Sequence, residues 1–241
     1  MTGLKQQVVA ASGLVGDWFS AVYADLVEMA ADCERELNAV RGAQSRLTEK
    51  HLRAIQPSAA EFLERHSIPE AAGIVLGPGI ANDDSGAIEW WRRGDSGNTN
   101  RIIFTLSPDV AGFYDFVTYH WFADVVSSGK PAIQGPYLDY AGMDQYIMTS
   151  MVPLSLNGIV IGTAGCDTEI RALETVMMPI LRQIPADAAL VSEFDRIVVG
   201  NSGRFVVGNR VKNLTEDSIR VDIPGHDLGL QLVAAPRAHR F

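Results

Sequence analysis

The sequence predicts an α+β protein: a long N-terminal helix, a larger α+β lobe, a short helix and a smaller β-rich lobe. Three observations predict this order. Apolar residues recur at steps of three and four from residue 4 to residue 40, a spacing that places them on one stripe of a helix. From residue 72 the chain changes to short β-rich runs separated by Gly, Pro, Asn and Asp, and a second β-rich stretch follows a helical segment at residues 170–184.

The N-terminal helix is predicted from one long apolar stripe. At ~1.5 Å per residue the helix is on the order of 55 Å long, although Gly13 and Gly16 favour fraying or bending at its start. Two interpretations stay open for the stripe: a homodimer formed through this helix, or packing against the chain's own lobes. A second helix is predicted at residues 48–66, before Pro69. The stripe consists of Leu4, Val8, Ala11, Val15, Trp18, Val22, Leu26, Met29, Cys33, Leu37 and Val40.

The two lobes are predicted from strand-like runs and turn residues. Asn157-Gly158 lies between two such runs and indicates a hairpin, because both residue types tolerate positive φ. A helix is expected over residues 113–126. We place the domain limits at 1–66 for the helical region, 67–175 for the larger lobe, and 176–241 for the connecting helix and smaller lobe. The strand runs are residues 74–76, 88–91, 102–106, 146–152, 158–164, 188–191, 196–199, 204–207, 218–221 and 228–233.

Composition excludes several classes of protein. The chain has 241 residues, 47% of them apolar, which is enough for a buried core and excludes a disordered chain. The net charge of −9 and the lack of a basic run argue against direct nucleic-acid binding. No stretch approaches the ~20 uncharged apolar residues of a membrane helix, so the sequence predicts no membrane contact and a cytoplasmic location.

Catalytic and cofactor motifs are scarce. Cys33 and Cys166 are far apart and lack metal-ligand spacing, although one bridge between them stays open. No cofactor is predicted, since the sequence has no phosphate loop, GxSxG elbow or HExxH pair. The enzyme alternative is a Cys166 nucleophile with His120 as its base. We therefore expect a protein that is not an enzyme.

Aromatic residues concentrate between positions 90 and 146. Aromatic walls around one carboxylate suit an organic cation, because ring faces attract the ammonium group and the carboxylate balances its charge. The alternative is that these side chains only build the core of the larger lobe. The span contains Trp90, Trp91, Phe113, Tyr114, Phe116, Tyr119, Trp121, Phe122, Tyr137, Tyr140 and Tyr146.

The order and spacing of several short motifs resemble the Cache sensor family, in particular the ligand lobe of double Cache domains. The resemblance covers about residues 72–175 and implies two PAS-like antiparallel-sheet lobes on a long N-terminal helix. Its motifs are Glu89-Trp90-Trp91, Phe113-Tyr114, Trp121-Phe122, Gly135-Pro136-Tyr137, Val152-Pro153-Leu154 and Gly162-Thr163-Ala164-Gly165-Cys166-Asp167.

The resemblance also implies a set of ligand-binding residues. Members that bind amino acids or amines share a Tyr, an Arg five residues later, a Trp-Tyr pair, a further Tyr, and an Asp that takes the ligand amine. The matching positions here are Tyr114, Tyr119, Trp121, Phe122, Tyr137 and Asp167, and we add Trp91 from the aromatic span.

Two positions depart from this signature. Tyr119 stands where the family has the Arg that grips an α-carboxylate, and Phe122 replaces a Tyr. Losing the Arg removes a bidentate fork for carboxylates, whereas Asp167 keeps the amine partner, so the resemblance favours amines over amino acids. Arg92 or Arg93 as a substitute keeps the amino-acid alternative open.

The function expected from the sequence is a sensor module that binds a small amine or amino acid. Such a module signals to a separate partner, a signalling protein or a transcriptional regulator. Two alternatives remain: an enzyme that acts on a small amine or acid, and a structural dimer with a vestigial pocket.

Overall fold

The computed structural model describes residues 2–41, 46–81, 85–95 and 97–237. Its first part is helical, and the helix expected over residues 48–66 is divided in two by a 3-10 turn. Pro57 lies in the first turn of the second piece, where its missing N–H costs nothing and its fixed φ favours a new helix start. The helices are α1 (Thr2–Arg41), α2 (Glu49–Leu52) and α3 (Gln56–Arg65), with the 3-10 turn at Arg53–Ile55.

The larger lobe contains a six-stranded antiparallel sheet in the order β3-β2-β1-β6-β5-β4. The predicted hairpin is confirmed: Asn157 and Gly158 join β5 to β6 with φ values of 54° and 78°. The expected helix over residues 113–126 is shorter, because Phe116–Thr118 forms a separate 3-10 turn anchored by buried Phe116. The elements are β1 (Ala71–Leu76), β2 (Ala87–Arg93), β3 (Thr99–Ile102), α4 (His120–Ser128), β4 (Ala132–Asp139), β5 (Gln145–Leu156) and β6 (Ile159–Glu169).

The smaller lobe is a four-stranded antiparallel sheet in the order β8-β7-β10-β9. The strand expected at residues 204–207 was a wrong prediction. There the backbone N–H groups of Phe205 and Asn209 donate to turn carbonyls, and buried Phe205 anchors the loop to the core of this lobe. The elements are α5 (Ile170–Leu181), β7 (Asp187–Val191), β8 (Ile197–Gly200), β9 (Ile219–Asp222) and β10 (Gln231–Ala235).

Helix α1 packs against both sheets and joins the two lobes. Most of its predicted apolar stripe, from Val8 to Leu37, is buried against the chain's own strands and helices. The burial of the stripe therefore agrees with the second interpretation, in which the helix packs against the chain's own lobes. The homodimer through this helix stays a prediction, and its contact surface cannot be the stripe.

Gly16 has a packing role within α1, which is continuous through Gly13 and Gly16. A Cβ atom at Gly16 would lie 2.7 Å from the carbonyl oxygen of Pro224. The glycine therefore allows the loop after β9 to approach the helix backbone. No helix in the described part of the chain is both long and apolar enough to cross a membrane.

The six-stranded sheet is covered on both faces by different cores. One face packs against α1 and contributes to the main core, which includes Trp91 and Cys166. The opposite face packs against α4 and forms a second, aromatic-rich core that includes Trp90, Trp121 and Phe122. Since neighbouring residues of a strand point to opposite faces, this division decides which predicted site residues can meet.

Candidate ligand-binding site

Two adjoining cavities lie on the α4 face of the six-stranded sheet. The inner cavity has a volume of about 30 Å³, enough for a group the size of one or two water molecules. The outer cavity has a volume of about 430 Å³. Four residues line both, so the two form one site: Tyr114, Trp121, Tyr137 and Asp139.

Asp167 lies at the inner cavity and is only 7% exposed. It pairs with Thr149 across β6 and β5, so both side chains point to the same face. The Thr149 hydroxyl donates to Asp167 at 2.6 Å and is 2.7 Å from the Tyr137 hydroxyl. These contacts fix the carboxyl group facing the cavity.

Trp90 supplies the second donor to Asp167, and the sequence analysis did not assign it to the site. Its indole N–H donates to the carboxyl at 2.7 Å. The two residues belong to β2 and β6, with β1 between them. The indole can cross β1 because the β1 residues at this point are small: Gly73 pairs with Trp90, and Ala71 pairs with Asp167.

Burial raises the pKa of Asp167 to about 7. The two hydrogen bonds, from Thr149 and Trp90, favour the ionised form, and the nearby carboxylate of Asp139 disfavours it. Burial outweighs the two donors because desolvation penalises the charged form of a carboxyl. No Lys, Arg or His lines either cavity among the described residues.

Asp139, at the end of β4, is a second buried carboxylate that the sequence analysis missed. It is 7% exposed and accepts backbone N–H groups from Gly142 at 3.2 Å and Met143 at 2.7 Å. An Asp followed by Tyr-Ala-Gly at a strand end is typical of such a turn. The site therefore contains two carboxylates and no lining cation in the described chain.

The walls of the site are aromatic. Tyr119 stacks on Trp121 with a centroid separation of 6.3 Å, and Phe104, which the sequence analysis also missed, stacks on Tyr114 at 5.6 Å. Tyr119 is 45% exposed and lines only the outer cavity. Burial raises the pKa of Tyr114 and of Tyr137, so both side chains stay protonated and can donate.

Two predicted site residues do not line either cavity. Trp91 points to the opposite face of the sheet and belongs to the core beneath α1, because it follows Trp90 directly in β2. Phe122 packs behind the site, with edge contacts to Phe116 at 5.1 Å and Trp121 at 6.0 Å. Five predicted residues do meet at the cavities: Tyr114, Tyr119, Trp121, Tyr137 and Asp167.

Neither candidate arginine takes the place of the arginine that the resemblance implies at position 119. Arg93 donates to three backbone carbonyls at the end of α3 and just beyond it, those of Leu63, His66 and Pro69. The guanidinium of Arg92 contacts the Glu70 carboxylate at 3.2 Å. Since neither lines the cavities, the site lacks an arginine fork for a carboxylate.

The proposed Cys166–His120 pair is not formed. Cys166 is buried in the core beneath α1, whereas His120 begins α4 on the other side of the sheet. Burial raises the pKa of the Cys166 thiol well above its usual range, which disfavours the reactive thiolate. Both cysteines are free, so the bridge left open by the sequence is absent.

Comparison with known proteins shows which proteins resemble this chain in sequence and in fold. No family model matches the chain. The methyl-accepting chemotaxis protein TlpQ of Pseudomonas aeruginosa is 26% identical over 171 residues, which are 68% of this chain. The chain spans 23% of the length of that relative.

Solved structures extend the comparison over nearly the whole chain. A structure titled methyl-accepting chemotaxis protein X has a TM-score of 0.66 at 17% identity, covering 98% of this chain and 97% of its own. The ligand-binding domain of the Pseudomonas fluorescens chemoreceptor CtaA, in complex with L-valine, has a TM-score of 0.61 at 15% identity, with 99% and 98% covered. The chain has the fold of chemoreceptor sensory domains, and the expected α+β, Cache-type architecture is confirmed.

Proposed function

We propose that this protein is a sensor module that binds a small organic amine. One observation carries the proposal: the buried Asp167 carboxyl faces an aromatic cavity that no cationic side chain lines in the described chain. A buried carboxylate without a cationic partner is costly. An ammonium ligand supplies that partner.

The two cavities match the two parts of such a ligand. An ammonium group is close in size to a water molecule and fits the inner cavity, where Asp167 accepts its N–H groups. Trp121 and Tyr114 add attraction between their ring faces and the cation. The rest of the ligand occupies the outer cavity, where the Tyr119 hydroxyl is available to a polar tail.

Charge favours amines over amino acids. An α-carboxylate in this site would lie near Asp139 and Asp167 with no arginine to compensate it. Like charges in a low-dielectric site repel strongly. L-valine, the ligand in the CtaA complex, carries such an α-carboxylate.

Binding and signalling share the same strands. Thr149 and Asp167 face the ligand site, and their neighbours Ser150 and Cys166 point towards α1. Tyr23 of α1 donates its hydroxyl at 2.6 Å to the carbonyl of Ala132 in β4, the strand that pairs with β5. Ligand-induced movement of β5 and β6 would pass to α1 and from there to a separate signalling or regulatory partner. The homodimer and the cytoplasmic location stay predictions.

The role is binding, with no bond made or broken. The test is a thermal-shift screen of amines, amino acids and carboxylates on the wild type, on Asp167→Asn, and on Asp124→Asn as a matched exposed control on α4. A ligand at about 100 times its Kd stabilises the native state by about 2.7 kcal/mol. We expect amines to stabilise the wild type and the control but not Asp167→Asn. Stabilisation by carboxylates alone would contradict the proposal, and no shift with any compound would favour a vestigial pocket.

A further inference from the structure

A basic cleft lies on the smaller lobe, away from the proposed amine site. It has a volume of about 470 Å³, and four of its eight lining residues are cationic. None of the eight is acidic, although the chain as a whole has a net charge of −9. The cleft is lined by Arg196, Ile197, Arg204, Gly208, Asn209, Arg210, Lys212 and Asn213.

Backbone pairing forces two of these cations together. Arg196 and Arg210 are partners in an antiparallel bridge. Ile197 donates to the Asn209 carbonyl and Val211 to the Asp195 carbonyl, which makes the arginines a non-hydrogen-bonded pair. The side chains of such a pair share one face at close range, with Cα atoms about 4.5 Å apart.

Lys212 extends this cluster, since it follows Arg210 by two residues and such residues share a face where the backbone is extended. Like charges directly opposite each other destabilise a strand pair. In the described chain no carboxylate forms an ion pair with any of the four cations, whereas Arg220 of the same lobe pairs with Asp195. No ion pair in the described part of the chain therefore offsets the repulsion within this cluster.

Backbone carbonyls hold the three guanidinium groups in place. A guanidinium has five N–H donors, and each arginine here uses only one or two of them on the backbone. The remaining donors are available to a ligand without the entropic cost of ordering the side chains. The contacts are Arg196 to Gly208 at 2.9 Å, Arg210 to Phe194 at 3.1 Å, and Arg204 to Asn213 at 2.9 Å and Pro236 at 3.3 Å.

We propose that this cleft binds a phosphate-bearing anion. A phosphate monoester carries a charge near −2 and three strong acceptor oxygens, and arginine forks match this geometry in bidentate fashion. A single carboxylate would compensate only one of the four cations. A soluble phosphate compound and the headgroup of an anionic lipid share this chemistry.

The test uses two probes, inorganic pyrophosphate and vesicles of phosphatidylglycerol in phosphatidylcholine. Pyrophosphate binding is measured by calorimetry and vesicle binding by co-sedimentation, both at about 150 mM salt. The variants are Arg210→Gln/Lys212→Gln and the single Lys212→Glu. The control is Lys130→Gln/Arg171→Gln, which removes the same charge from exposed positions outside the cleft.

We expect at least one probe to bind the wild type and the control alike. The double variant should bind at least tenfold more weakly, because about one order of magnitude is lost with each charge-assisted hydrogen bond. Lys212→Glu should also weaken binding, and Lys212 is exposed and makes no side-chain hydrogen bond or ion pair in the described part of the chain. Binding of pyrophosphate identifies a soluble ligand, and binding of vesicles alone identifies a headgroup. Binding of neither probe, or equal loss in the control, would overturn the proposal.

Discussion

The Asp167→Asn substitution should stabilise the protein, and increasingly so as pH rises. The ordinary pKa of an aspartic acid is 3.8, and burial raises that of Asp167 to about 7. Between these two values the folded state holds a proton that the unfolded state has released. The wild type therefore loses stability from about pH 4 to about pH 7, and the full cost remains at higher pH.

The size of the effect follows from the same two values. At about 1.36 kcal/mol for each pH unit, the cost of ionising Asp167 in the folded state is on the order of 4 kcal/mol. Asparagine keeps the side-chain shape and has no such cost. Its oxygen can accept from Trp90, and its amide can donate to the Thr149 hydroxyl, which then donates to Tyr137.

The assay is urea unfolding of the wild type, Asp167→Asn and Asp124→Asn at about pH 4 and pH 8. We expect the free energy of unfolding of Asp167→Asn to exceed that of the wild type by several kcal/mol at pH 8, and the difference to shrink towards zero at pH 4. The Asp124→Asn control should follow the wild type. An advantage of equal size at both pH values would refute the argument.

Two further predictions concern ligand affinity measured by calorimetry. Trp90→Phe removes the hydrogen bond that favours the ionised form of Asp167, worth ~1.5–3 kcal/mol, so it should raise the pKa of that carboxyl further and weaken amine binding about tenfold or more near pH 7. The matched Trp91→Phe, on the opposite face of the sheet, should leave affinity unchanged, and equal losses would disprove the assignment. Asp139→Asn should weaken binding of ligands with two ammonium groups more than of monoamines, because it removes the second carboxylate of the site; a uniform effect on both ligand classes would show that Asp139 does not contact the second ammonium group.

Local patterns predicted the architecture well. The three-and-four spacing along α1 and the Asn157-Gly158 turn are set by nearest neighbours in sequence, so both could be recognised without the fold. The same spacing could not say what covers the apolar stripe. What covers the stripe depends on how the two lobes pack against the helix, and this packing includes contacts such as that of Gly16 with Pro224.

The sequence could not show which face of the sheet Trp90 points to and which face Trp91 points to. In a sheet covered on one face, alternation of apolar and polar residues identifies the buried side. Here α1 and α4 cover both faces, and both tryptophans are buried. Strand β2 therefore shows no alternation of apolar and polar residues here. The resemblance alone did not distinguish Trp90, which donates to Asp167, from its neighbour Trp91.

Asp139 and Phe104 were missed for another reason. Each joins the site through the fold: Asp139 through a turn that brings Gly142 and Met143 to its carboxylate, and Phe104 by stacking on Tyr114. The five positions that could be found are those whose order and spacing along the chain the resemblance implies: Tyr114, Tyr119, Trp121, Tyr137 and Asp167.

The most direct test of the central claim is the pH dependence of amine affinity. At about pH 5.5 a carboxyl with a pKa of about 7 is ionised in only about 3% of molecules, while an aliphatic ammonium stays charged throughout. Calorimetry with an amine from the thermal-shift screen should therefore give an affinity about thirtyfold weaker at pH 5.5 than at pH 8.5. Asp167→Asn should bind weakly at both values. An affinity that does not change with pH in the wild type would contradict the assignment of Asp167 as the partner of the ammonium group.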